Sequence, residues 1–185
     1  MEQKTNKISK RGFTLIELLI VIGILSVLTA AVVVVLNPAE LLAQARDTQR
    51  MSDLDAIRST LSLYLSTATT TDFSSAGPYA QGSTASCFSL SGVCGARDIY
   101  TIGGLGWVAV DLTVMSNPGS PISALPRDPT NGATYHYAYK GNNTYKTFEL
   151  NCELESNKYA GPRESGDGGD STTIYEVGSD TGLDL

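Results

Sequence analysis

At 185 residues, with 42% of them hydrophobic and a formal net charge of -6, the chain has room for one ordinary domain and an appendage, which excludes both a disordered chain and a polytopic membrane protein. The charge is uneven: Lys4, Lys7, Lys10 and Arg11 against Glu2 make the first twelve residues +3 and leave -9 for the rest, so the body is a poor duplex-DNA binder. Three cysteines exclude a disulfide-dense miniprotein, and the single His136 leaves little material for a histidine-rich metal or catalytic site.

The first predicted element runs from Phe13 to Leu36 and contains one charge, Glu17. As a helix it spans roughly 36 Å, enough for a hydrocarbon layer of about 30 Å. A secretory signal peptide, with Thr29, Ala30 and Ala31 as its cleavage region, competes for this segment; the apolar run is too long for that, and its early carboxylate gives a disposable signal nothing. The four leading bases place the N-terminus in the cytoplasm and everything after residue 36 outside it. Asn37 and Pro38 then predict a bend or loosening, with two separate helices as the alternative.

From Ala39 the helical pattern resumes. Leu54, Ile57, Leu61 and Tyr64 recur at spacings of three and four, while Arg46, Asp47, Arg50, Asp53, Asp55 and Arg58 lie mostly on the other side, predicting an amphipathic helix that needs a partner for one face. Residues 66 to 86 are rich in Ser, Thr, Gly and Ala and read as a long surface connection. Cys87 and Cys94 bracket a loop short enough for a local disulfide, and Cys152 reads as a buried structural thiol. WVAVDL, Trp107 to Leu112, fits a short buried strand or a helical turn. Pro118, Pro121, Pro126 and Pro129 stiffen the following connection, which ends in a turn at Asn131 and Gly132.

Two strands come next. Tyr135, Tyr137 and Tyr139 alternate, as do Phe148, Leu150, Cys152 and Leu154, with the reversal at Gly141, Asn142 and Asn143. This predicts an antiparallel hairpin whose one apolar face the amphipathic helix covers, an α+β fold. His136 reads as a satisfied strand residue. From Glu164 onward the chain carries six acids and no base, which reads as a solvated end. Within it Asp167 and Asp170, flanked by glycines, offer hard oxygen ligands for calcium. No nucleophile-elbow sequence or other catalytic constellation is visible, so no enzyme activity is expected.

The string Lys10-Arg11-Gly12-Phe13-Thr14-Leu15-Ile16-Glu17 before an apolar helix resembles the class III leader of type IV pilins and type II secretion pseudopilins. The likeness covers residues 9 to about 65, and LPRDPTNGATYHYAYK is similar to a segment of the major pseudopilin. The resemblance implies a leader over 1–12, a transmembrane and filament-core helix over 13–36, its amphipathic continuation over 37–66, and an outer domain over 67–185. It also implies a prepilin peptidase that cuts after Gly12 and N-methylates Phe13. A cytoplasmic ATPase and a platform protein would then move the subunit from the membrane into a filament of its own copies. Major pseudopilins carry a calcium site in a C-terminal loop, but here Ala160-Gly161-Pro162-Arg163-Glu164 departs from that loop's pattern. Glu17 is the proposed assembly residue, pairing with the new α-amine of a neighbour. A minor tip subunit, or a monomeric membrane-tethered domain using the tyrosine hairpin as a recognition face, are the alternatives.

Overall fold

A computed structural model describes residues 12–74, 77–82, 86–116 and 119–185. The leader as far as Arg11, parts of the Ser/Thr-rich connection, and Pro118 lie outside the described residues. The chain divides into two compact units, Met1–Ala39 and Glu40–Leu185.

The first unit holds helix α1, Leu15–Leu36, with no buried residue. Its hydroxyls bond within the helix, Ser26 to the Gly23 carbonyl and Thr29 to the Leu25 carbonyl, both at 2.8 Å, so an apolar surrounding leaves them satisfied. The helix stops at Asn37, whose φ of 40° is left-handed, a conformation asparagine tolerates better than most residues. Pro38 then opens helix α2, Pro38–Thr67. At the first helical position its missing N–H breaks no bond and its fixed φ suits the helix. Two helices therefore stand where one bent helix was the first expectation.

In the second unit, α2 buries Leu54, Ile57, Leu61 and Tyr64, the stripe that its spacing predicts. These join one core cluster with Tyr137, Tyr139, Phe148, Leu150 and Cys152. The sheet behind them is small and mixed rather than purely antiparallel. Its strands are β1 (Tyr79–Ala80), β2 (Gly95–Ala96), β3 (Tyr137–Asn142), β4 (Thr147–Cys152) and β5 (Tyr175–Gly178), in the order β2-β1-β3-β4-β5. Only the β1–β2 pair is parallel. Gly141 in β3 is forced by packing: a Cβ there would collide with the Phe73 carbonyl.

Three expectations need correction. The Ser/Thr-rich connection is not all surface, since Phe73 is fully buried against Tyr64 and Phe148, with ring centroids 5.7 Å apart in each case, and Tyr79–Ala80 forms β1. The acidic end is not a solvated tail; β5 pairs with β4 across four residues, and Glu164, Glu176 and Leu183 are buried. Asp47 and Arg50, assigned to the polar side of α2, are fully buried. WVAVDL resolves as a buried irregular run, Trp107 to Val110, leading into a short 3-10 turn at Leu112–Val114.

Candidate processing and assembly segment

The start of α1 is built by Thr14. Its hydroxyl accepts the backbone N–H of Glu17 at 3.3 Å, and its extended backbone makes it the N-cap. Thr14-x-x-Glu17 thus has the spacing of a capping box, which places a carboxylate at the positive end of the helix dipole. That local role was missed in the sequence, although the Thr–Glu spacing signals it. It does not satisfy the carboxylate: among the described residues, no hydrogen bond or ion pair reaches the Glu17 side-chain oxygens. In a low-dielectric surrounding such a group calls for a cation.

Gly12 and Phe13 lie just ahead of the cap, both exposed. A Cβ at Gly12 would meet nothing within 4 Å. Among the described residues nothing therefore gives a steric reason for glycine there.

The remaining candidate residues sit in the second unit. Cys87 and Cys94 form a disulfide with Cα atoms 5.5 Å apart, and Cys152 is a free, buried thiol, as expected. Asp167 and Asp170 lie on the turn before β5, both close enough to act on the charge of Glu176. Both Asp167 oxygens accept backbone N–H groups, from Gly169 at 3.0 Å and Glu176 at 2.8 Å. Gly169 is explained by packing, because a Cβ there would strike the Glu176 carboxylate. Among the described residues no group of three or more His, Cys, Asp or Glu is arranged to hold a metal ion.

Sequence reasoning missed the charged network that holds α2. Arg50 bonds Asp128 through Nε at 2.6 Å, Asp47 through Nη1 at 2.9 Å and Glu155 through Nη2 at 2.6 Å, with Tyr135 4.9 Å from its guanidinium. Asp47 also accepts the N–H groups of Glu155 and Ser156 at 2.9 and 2.8 Å. Arg46 grips Glu155 from the solvent side. The bonds from Arg46, followed by those from Arg50, hold the Glu155 carboxyl down at about 2. Burial works against the charged form of Arg50, and its bonds to Asp128 and Glu155 outweigh that, raising its pKa. Two of the three tyrosines proposed as a recognition face are core instead, and Tyr135 is half-buried. Tyr137 and Tyr139 are fully buried, their hydroxyls donating to Asp53 at 2.9 Å and to the Phe73 carbonyl at 2.8 Å.

Compared with protein families, residues 7–33 match the prokaryotic N-terminal methylation motif. The match spans Lys7, Lys10, Arg11, Gly12, Phe13, Glu17 and most of α1, and it supports a likeness to the prepilin leaders of pilins and pseudopilins. No curated protein and no solved structure matches the chain. Among the described residues α1 is the helix long and apolar enough to cross a membrane. The chain therefore carries a prepilin-type motif joined to a potential membrane anchor.

Proposed function

We propose that this protein is a structural subunit of a type IV pilus or a type II secretion pseudopilus. It is made as a single-pass precursor, N-terminus in the cytoplasm. Prepilin peptidase cuts it after Gly12 and N-methylates Phe13, and it then polymerises through α1 with help from a platform protein and a cytoplasmic ATPase. The observation that carries this is the joining of the methylation motif at 7–33 to a helix apolar on all sides, with one unpartnered carboxylate in its first turn. Cutting after Gly12 creates an α-amine about one turn from Glu17. Between neighbouring subunits that amine neutralises the carboxylate, setting register more than raw stability, because desolvation offsets much of the Coulombic gain.

Two measurements test the reading. Intact mass of the protein from its native membrane should show loss of residues 1–12 and addition of one methyl group. A product starting near Ala31 would instead identify an ordinary signal peptide. Glu17→Gln, expressed without the wild-type protein, should be inserted and cleaved normally while filament yield seen by electron microscopy drops sharply. Normal yield sinks the assembly role of Glu17.

A further inference from the structure

The sheet face opposite the main core is covered as well. There the disulfide loop lays Cys87 and Leu90 against Ala80 and Ala138, and beside them lies a polar layer shut off from water. Glu149 and Glu176 are each 1% exposed and Asn151 is fully buried. Register makes the two acids diagonal neighbours: Asn151, two residues along β4 from Glu149, is the partner of Glu176 on β5.

The bonds in this layer tie the covering segments to the acids. Ser89 of the loop donates to Glu176 at 2.7 Å and accepts from Asn151 at 2.9 Å. The Leu185 N–H donates to Glu149 at 2.9 Å. Lys140 is the cross-strand partner of Glu149, yet its ammonium is turned to the carbonyls of Ser91 at 2.7 Å and Leu185 at 2.9 Å. It makes no ion pair with either acid. The loop from Ser86 to Ala96 brings no charged side chain, and the last segment brings only Asp180 and Asp184. From the turn before β5, Asp167 accepts the Glu176 N–H, and Asp170 adds further negative charge. His136 lies under the loop's first end, its Nε2 2.6 Å from the Ser86 carbonyl and its ring stacked on Phe88.

Two carboxylates thus lie buried at diagonal positions on one face, neither of them in an ion pair, with Lys140 committed to backbone oxygens and Arg58 of α2 lining the same surface hollow as Glu176, and burial disfavours the charged form of each. Asn151, whose side chain is hydrogen-bonded to Glu149, has an Oδ1 with no donor, an acceptor open to a carboxylic O–H in this layer. We propose that Glu149, with Glu176 diagonal to it on the same covered face, holds a proton in the closed fold and forms a pH-sensitive latch, which seals the disulfide loop and the segment ending at Leu185 onto the sheet in acid and loosens both as the proton passes to solvent. Burial, with Glu176 and Asp170 adding repulsion, pushes Glu149 up to about 7 from 4.5. Burial likewise raises Glu176. For a group raised in the closed state, the contribution is fully present below about 4.5 and is lost as pH rises to about 7. The burial-depressed His136 acts in the opposite sense, favouring opening as pH falls below 6.5.

Hydrogen exchange on the full chain in detergent micelles tests the latch, comparing wild type with Glu149→Gln at about pH 5 and about pH 8. In wild type, protection at Leu90, Ser91 and Leu185 should fall at least about tenfold between the two conditions, after correction for intrinsic exchange. The variant should hold its protection. Since both proteins keep His136, the difference isolates Glu149. An equal fall in both, or no fall in wild type, overturns the proposal. Should the variant not fold, the carboxyl carbon of Glu149 in labelled wild type is titrated by NMR; a midpoint near 7 supports the latch and one near 4.5 overturns it.

Discussion

Arg50 holds three carboxylates in a place from which water is excluded, so its removal is not the loss of one bond. Without the guanidinium, Asp47, Asp128 and Glu155 are left as buried or half-buried negative charges facing one another. Breaking a buried ionic group by deleting one partner costs about 3–5 kcal/mol, a large share of a domain's typical stability. Arg50→Leu is therefore expected to lower the unfolding free energy of the full chain, read from denaturant titration, by that amount. Arg50→Lys should recover little, because a single ammonium cannot reproduce the forked donors that meet Asp128 through Nε and Nη2. A Lys variant as stable as wild type would show that charge alone holds the site. Nothing in the α2 pattern announced this role. Arg50 sits among polar residues at a helical spacing that reads as solvent-facing, and its main partner Asp128 is 78 residues away. By contrast the motif around Gly12 and Glu17, matched over residues 7–33, was legible, because it rests on close neighbours in sequence.

At the scale of elements, legibility follows periodicity. α1, the buried stripe of α2 and the β3–β4 hairpin each repeat an apolar pattern long enough to be counted, and all three are present. β1 and β2 have two residues each and β5 four, too short for alternation to show; β1 and β5 form because β3 and β4 offer backbone partners on their outer flanks, and β2 adds onto β1. The disulfide loop was legible as a bridge but not as a cover for the second face of the sheet. Its bond closes a small ring, so its effect on the unfolded chain is about 2–3 kcal/mol. Changing Cys87 and Cys94 to Ser together is expected to lower stability by that much while leaving Cys152 buried and α2 packed. Exchange or proteolysis at Leu90 and Ser91 should rise in this double variant well before the main core opens. A uniform loss of protection across the second unit would mean that the loop and the core unfold as one.

For the whole molecule, the cited groups make stability depend on pH in a definite direction on the acid side. Glu155 is held at about 2 against an ordinary 4.5, first by Arg46 and then by Arg50. A carboxyl depressed on folding stabilises above its unfolded value and loses that contribution as pH falls from about 4.5 to about 2. Glu149, raised on folding, runs the other way: its proton is retained in the folded chain until pH approaches 7, so it leaves the acid limb below 4.5 to Glu155. The burial-depressed His136 adds a loss that starts higher, below pH 6.5. The chain should therefore lose stability in two pH ranges assignable to different residues. Glu155→Gln removes the group responsible for the lower range while leaving His136 in place. Denaturant titrations of wild type and variant at a series of pH values should diverge above about pH 4.5, where the wild type is more stable, and converge towards about pH 2. Parallel curves across that window would show that the bonds to Arg46 and Arg50 contribute no proton-linked stability, and would place the acid limb on other carboxylates.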